Sequence, residues 1–266
     1  MSDKDPLGDR MKFYERIECG RKFMPLLPIV ARIDGKCFSG LTKPLDRPYD
    51  ERFSEIMRKT TRLLVEETGA KIGYQQSDEI TLVFNSDDMK TQVYFNGKIQ
   101  KMVSILASAA TAYFNSQNHP KIKKLGMFDA RAWIVPNKME ATNAILWRES
   151  DATKNSVSMA ARAYYSHNQI HGKTSAQMQE MLFEKGVNWN DYPDYFKRGS
   201  YFQKKKTKRT FTSEEIESLP ERHAAKLNPD LVVERTEIRN LDMPIFSKIA
   251  NRIGVVFYGE DPIVEQ

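Results

Sequence analysis

Cysteine is nearly absent. Cys19 and Cys37 are the only two in the chain, too few for a disulfide framework and without the paired Cys/His spacing of a zinc site, so both are expected to be free thiols. The histidines His119, His167, His171 and His223 also show no metal spacing, and none is assigned a catalytic role. No stretch approaches the roughly 18 consecutive apolar residues of a membrane span. The first residues, Met1 to Arg10, are polar and mixed in charge rather than a basic stretch leading into an apolar one. The expected address is the cytoplasm. Repeats and long low-complexity segments are lacking too, which excludes a solenoid.

What remains is a globular composition: 266 residues, 40% hydrophobic, enough to bury a large core. Lysine and arginine number 41 against 35 aspartate and glutamate, a net charge of +6. That balance permits attraction to nucleic acid without requiring it, so the placement of charge matters more than its total.

Leu26 to Asp34 is a mostly apolar, β-branched run stopped by Gly35, which predicts a buried strand with Asp34 at its C-terminal end. Over Asp50 to Thr68, Phe53, Ile56, Met57, Leu63 and Leu64 fall near a 3.6-residue period, with Asp50 as N-cap and Gly69 just past the end, so a helix is expected. Lys71 to Gln76 and Ile80 to Phe84 read as two short strands around a polar corner, Gln76-Ser77-Asp78-Glu79. A second helix is expected through Ile99, Met102, Val103, Leu106, Ala109, Ala110 and Tyr113, then a strand from Met127 to Val135. Strand, helix, strand, strand, helix, strand is the order of a ferredoxin-like α+β domain. In that topology the end of the first strand and the turn between the second and third lie at one sheet edge, which would bring Asp34 and Asp78 together. Beyond Pro136 the pattern is more helical and less regular. Residues 1–136 are therefore expected as a catalytic domain and 137–266 as a mostly helical C-terminal region. Within the latter, Gln203 to Arg209 is the densest basic run and is expected as an exposed loop; as a nucleic-acid contact it would act through phosphates, without sequence choice.

Two carboxylates at one sheet edge suit a two-metal site, where hard divalent cations take oxygen ligands and stabilise the attacking and leaving oxygens of a phosphoryl displacement. Gly35, lacking a side chain, lets its carbonyl and amide approach a metal or phosphate. The loop Lys36 to Gly40 could wrap a triphosphate, and Glu79 could add a ligand or bind a water. On residue types alone the bland reading stays open: Asp34 capping a turn and Asp78 on a solvated hairpin.

Arg32-Ile-Asp-Gly35 with Phe38, then Arg47-Pro-Tyr-Asp-Glu-Arg52, then Tyr74-Gln-Gln-Ser-Asp-Glu79 with Phe84 resemble, in order and spacing, the catalytic half of the tRNA-His guanylyltransferase family. Phe128-Asp-Ala-Arg131 and Pro136 resemble the strand that follows. The similarity continues more loosely through Trp147-Arg148, Asn155 and Tyr195 to Gly199. The resemblance implies a polymerase-palm fold and 3′-to-5′ nucleotide addition to an RNA 5′ end, with magnesium as cofactor, ATP, GTP or other nucleoside triphosphates as substrates, tRNA as partner and a homotetramer as assembly. By the same match Asp34, the backbone of Gly35 and Asp78 would hold two magnesium ions, with Glu79 beside them. Lys36, Cys37, Phe38, Ser39, Asp50 and Ser77 would line the nucleotide. Lys98 and Lys101, one helical turn apart, and Arg131 match positions that meet the triphosphate. Arg47 or Lys43 matches a basic residue near the nucleotide. Asn155, Lys197, Arg198, Lys204, Lys205 and Lys206 would face RNA.

Where eukaryotic members carry His-Ile-Asn-Asn after a Trp-Arg pair, this chain has Thr153-Lys-Asn-Ser156. Without the histidine the chain resembles the bacterial and archaeal branch, which extends truncated RNA 5′ ends on a template. Two other classes share features of the pattern: a nucleotide cyclase on a palm-like fold, and a noncatalytic RNA-binding module. Gln-Ser-Asp-Glu at the hairpin belongs to the guanylyltransferase pattern rather than the cyclase one, and both acidic metal positions argue against a degenerate module.

Overall fold

A computed structural model describes residues 5–228 and 230–265. The elements run α1 (Pro6–Cys19), β1 (Ile29–Gly35), α2 (Phe38–Leu41), α3 (Glu51–Thr68), β2 (Ile72–Gln76), β3 (Glu79–Phe84), α4 (Ile99–Ser116), β4 (Phe128–Ile134) and α5 (Lys138–Arg162). They continue with α6 (His167–Ile170), α7 (Ser175–Glu184), α8 (Asp194–Lys197), β5 (Ser200–Thr210), α9 (Ser213–Ser218), α10 (Ala224–Leu227) and β6 (Val232–Leu241). Among the described residues no helix is long and apolar enough to cross a membrane.

The strands form one antiparallel sheet in the order β4-β1-β3-β2-β5-β6. Its first four strands, with α3 and α4, are the βαββαβ unit read from the sequence. Alternation along β1 sends Ile29, Ala31 and Ile33 into a core with α3 and α4, while Val30 joins a second core beneath α5. Helix α3 starts where Asp50 accepts the Phe53 amide at 2.9 Å, a cap worth about 1 kcal/mol, and it stops at Gly69 in a left-handed conformation, φ +68°. Its buried threonines would be costly without partners. Thr60, Thr61 and Thr68 each return a hydroxyl hydrogen bond to the carbonyl four residues back, at 2.8, 2.9 and 2.6 Å.

The C-terminal region departs from expectation. One 25-residue helix, α5, covers the second sheet face and carries a small helical core of Val157, Ala160, Leu182 and Trp189 at its end. Strands β5 and β6 extend the sheet, with Tyr74 paired to Tyr201 and then Tyr201 to Leu241. Residue 136 therefore does not separate two folding units, because both sides share one sheet and contribute to the cores on both of its faces.

The Gln203 to Arg209 run is strand, not loop. Alternation half-buries every second residue beyond Gln203, and four of its five charges find partners at the end of the sheet away from the β2–β3 turn. Lys204 donates to the Glu66 carbonyl and Lys205 to the Gly259 carbonyl. Lys206 meets Glu234, and Arg209 meets both Glu215 and Glu237. Opposite charges facing across a two-stranded ribbon favour strand pairing.

Candidate active site

Strand β1 ends and the β2–β3 hairpin turns at the same edge. Asp34 lies opposite Glu79 in the β1–β3 register, and the Gly35 amide donates to the Asp78 carbonyl at 3.2 Å. The turn is two residues long, with Ser77 left-handed at φ +48°, and Cys37 on the neighbouring loop is left-handed at φ +57°. Such backbone costs a non-glycine residue about 1–2 kcal/mol and collects where a site imposes it. The Lys36 amide is anchored on the Met127 carbonyl at 2.7 Å.

Gly35 is required by packing. A Cβ there would sit 2.5 Å from the Phe38 ring, which lies edge-on to Phe128 at 4.9 Å and against Phe114 at 5.4 Å. Phe38 thus plugs the core beneath β1 and turns the chain so that Lys36, Cys37 and Ser39 stay exposed. Its side chain is core, which leaves its backbone as the part that could meet the nucleotide it was expected to line.

Burial pushes the Asp78 carboxyl above the ordinary range, and the like charge of Asp34 pushes the same way, opposed by its own backbone amide and Ser77. Both nearby arginines face Glu79 rather than Asp34 or Asp78. Arg148 grips Glu79 with two hydrogen bonds, Nε to Oε1 at 2.5 Å and Nη2 to Oε2 at 2.8 Å, and also meets Asp151 at 3.1 Å. The Arg32 Nε is buried without a hydrogen-bond partner, 3.9 Å from Glu79. Burial also raises the Glu79 carboxyl, against the pull of Arg148 and then Arg32. Trp147 stands exposed beside both arginines, 5.9 Å from the Arg32 guanidinium and 4.7 Å from that of Arg148. Two carboxylates that form no ion pair among the described residues, beside a peptide carbonyl, suit a hard divalent ion. Glu79, expected as a possible ligand, is instead tied down by Arg148.

The other expected residues divide by position. Arg131 shares the Asp34 face, feels both Asp34 and Glu79, and is held by Asp129 at 3.0 Å. Arg47 and Lys43 are both exposed on the segment that leads from the Lys36 to Gly40 loop into α3. Asp50 is buried and fully occupied: burial acts to raise its carboxyl, but hydrogen bonds from Phe53, His119 and Asp46 outweigh it and hold the carboxyl low. With His119 3.0 Å away, it is a structural cap, not a nucleotide contact.

Lys98 and Lys101 sit where α4 begins, at the start of β1 and the end of β4; Lys98 bridges to Lys22, and Lys101 lies over the Phe95 ring at 4.7 Å. That is a strand's length from Asp34, roughly 17 Å at about 3.3 Å per residue. Reversing direction at every strand of an antiparallel sheet puts the α4 N-terminus at the end away from the turn. Lys197 is also a correction, since its ammonium is buried on the Asn190 carbonyl at 2.6 Å. Arg198 pairs with Asp194, while Asn155 lies exposed on α5, bonded to Asp151 at 3.2 Å.

The whole-chain likeness settles the family. A bacterial tRNA-His guanylyltransferase-like protein solved in complex with ATP is 34% identical, with a TM-score of 0.75 and 91% of this chain and 94% of that one covered. The chain belongs to the tRNA-His guanylyltransferase family. Residues 8–136 match that family directly. A bacterial tRNA-His guanylyltransferase-like protein in complex with GTP is 33% identical at a TM-score of 0.70, covering 92% of this chain and 95% of that one. An uncharacterized protein of Acanthamoeba polyphaga mimivirus is 32% identical over 227 residues, covering 75% of this chain and 77% of that protein. The palm reading of the fold holds, and the chain is a nucleotidyltransferase of this family.

Sequence reasoning missed the Arg148–Glu79 clamp and the role of Glu149. The Glu149 carboxylate accepts the Tyr201 hydroxyl at 2.5 Å and the Phe246 amide at 2.9 Å. It ties α5 to β5 and to the segment after β6. The signal was two adjacent ionisable residues, Arg148-Glu149, directly after the apolar run Ala144-Ile-Leu-Trp147.

Proposed function

We propose that this chain adds nucleotides to the 5′ end of tRNA in the 3′-to-5′ direction, repairing truncated ends on a template. The observation that carries the reading is the junction of Asp34, Gly35 and Asp78 at one sheet edge. Its relatives solved with ATP and GTP support nucleoside triphosphates as substrates. Asp34, Asp78 and the Gly35 carbonyl would hold divalent magnesium, which when bound neutralises charge developing on the phosphoryl oxygens. The chain itself supplies the rest: the Lys36 to Ser39 loop and Ser77 face the nucleotide from the exposed side, and Arg131 presents a cation on the Asp34 face. Glu79, locked by Arg148, positions the strand ends that carry the two ligands. The loss of the family's histidine at Thr153-Lys-Asn-Ser156 supports nucleotide choice by Watson–Crick pairing with the opposing strand.

The test removes the first 5′ nucleotide from several tRNAs, varies the opposing base and scores which labelled triphosphate is incorporated. Incorporation following the opposing base on every tRNA is expected. Addition of G alone, confined to tRNA-His, would replace templating with the eukaryotic activity. Product formed from GTP without RNA would move the chain to the cyclases.

A further inference from the structure

Lysines gather at the catalytic end of the sheet, and three of the four, Lys121, Lys123 and Lys124, lie outside the family motifs. The α4–β4 connection brings Lys121, Lys123 and Lys124 against Leu41, Lys43 and Pro44, around a cavity of about 530 Å³. Lys121 is neutralised by Asp46 at 2.5 Å. Lys123 donates only to the Pro120 carbonyl, at 2.9 Å, and neither Lys43 nor Lys124 makes an ion pair among the described residues. Three lysines without an ion pair among the described residues therefore line one concavity. Its low-dielectric wall of Leu41 and Pro44 strengthens their joint field.

The chemistry is that of phosphate held by point charges: all four cations are lysines, without the planar fork with which arginine reads a base or a bidentate anion. The position fits a polyanion that begins at the carboxylates. Gly35 ends β1 and Gly40 lines the pocket, so the two are five residues apart and at most about 18 Å, at about 3.6 Å per residue. A nucleic-acid strand carries a phosphate about every 3.4 Å along its axis, so that distance corresponds to about five phosphates. Helix α2 stands between the two places, with the carboxylate end before its first residue and the pocket against its last.

We propose that the pocket formed by Lys43, Lys121, Lys123 and Lys124 holds the RNA backbone within about five nucleotides of the reacting 5′ end. The proposal rests on the RNA-extending activity proposed above, and it relocates the RNA surface from the Lys204 to Lys206 ribbon, which lies at the other end of the sheet.

The experiment is fluorescence anisotropy of a 5′-truncated tRNA on the full chain, titrated from about 50 to about 200 mM salt, for wild type, Lys123→Ala/Lys124→Ala and Lys204→Ala/Lys206→Ala. ATP and GTP binding are measured in parallel by calorimetry. Each released phosphate contact lowers the slope of log affinity against log salt by about 0.9, so the pocket variant should lose about 1.8 of slope and about 12-fold less affinity than wild type over that salt range. Nucleotide affinity should be unchanged, as should the slope of the ribbon variant. An unaltered slope in the pocket variant, an equal loss in the ribbon variant, or weakened nucleotide binding with RNA binding intact would each overturn the proposal. Binding is read without turnover, so a wild-type chain that bound RNA through the pocket but added no nucleotide would sink the activity and leave the pocket standing.

Discussion

Replacing Arg148 with alanine tests how the site is supported. Its guanidinium makes two hydrogen bonds to Glu79, at 2.5 and 2.8 Å, between side chains that are each only 9% exposed. Removing one partner of a buried pair leaves the other charge uncompensated and costs about 3–5 kcal/mol. For a chain of this size that lowers Tm by about 6–20 °C, at about 2–4 °C per kcal/mol. The loss should depend on pH. Burial already raises the Glu79 carboxyl, and Arg148 is the largest influence opposing it, so in the variant it rises further. A raised folded-state pKa contributes stability that is present below the unfolded value and lost as pH rises through the folded one. The deficit should therefore be largest near pH 8 and shrink toward pH 5. Adding Glu79→Gln to an Arg148→Met variant removes both charges and should recover most of the stability. Thermal unfolding across that pH range, without added metal, reads all three proteins. A deficit below about 1 kcal/mol, the level of an exposed pair, or one that grows on acidification, would refute the argument.

Asp34→Ala and Asp78→Ala should each abolish nucleotide addition while circular dichroism shows an intact fold; a folded variant near wild-type turnover in magnesium would remove that residue from the site. Asp78→Asn should raise the stability of the metal-free protein at pH 7, because burial and Asp34 hold the native carboxyl above its ordinary value, and the gain should fade as pH approaches about 4. Magnesium should then stabilise the wild type and not the variant, both read by unfolding with chelator and with metal. Gly35→Ala, whose Cβ would meet the Phe38 ring at 2.5 Å, should cost about 1–3 kcal/mol as overpacking and depress addition more than that loss of folded protein explains; a neutral effect on both would mean that Phe38 can move aside.

Local signals carried the first half of the chain. The stripe of α3, its Asp50 cap and Gly69 stop, and the apolar runs of β1 to β4 are properties of neighbouring residues, and the βαββαβ order is enough to place Asp34 beside Asp78, since an antiparallel sheet returns alternate strand ends to one edge. Gln203 to Arg209 misled for the same reason. Its lysines look solvated in isolation, and only the partner strand Val232–Leu241, more than twenty residues on, supplies the glutamates that make a ribbon of them. Spacing along α4 put Lys98 and Lys101 together, but which end of the sheet they occupy depends on strand direction, and that separates them from Asp34 by the length of β1. The sequence by itself determined the palm unit, the family motif and the pair of carboxylates, because these follow from periodicity and strand order. Tertiary structure alone decided which charges remain available. Whether Asp50, Glu79, Lys197 or Lys124 can meet a ligand depends on what distant segments place beside it, and burial and pairing energies belong to that arrangement rather than to the residue.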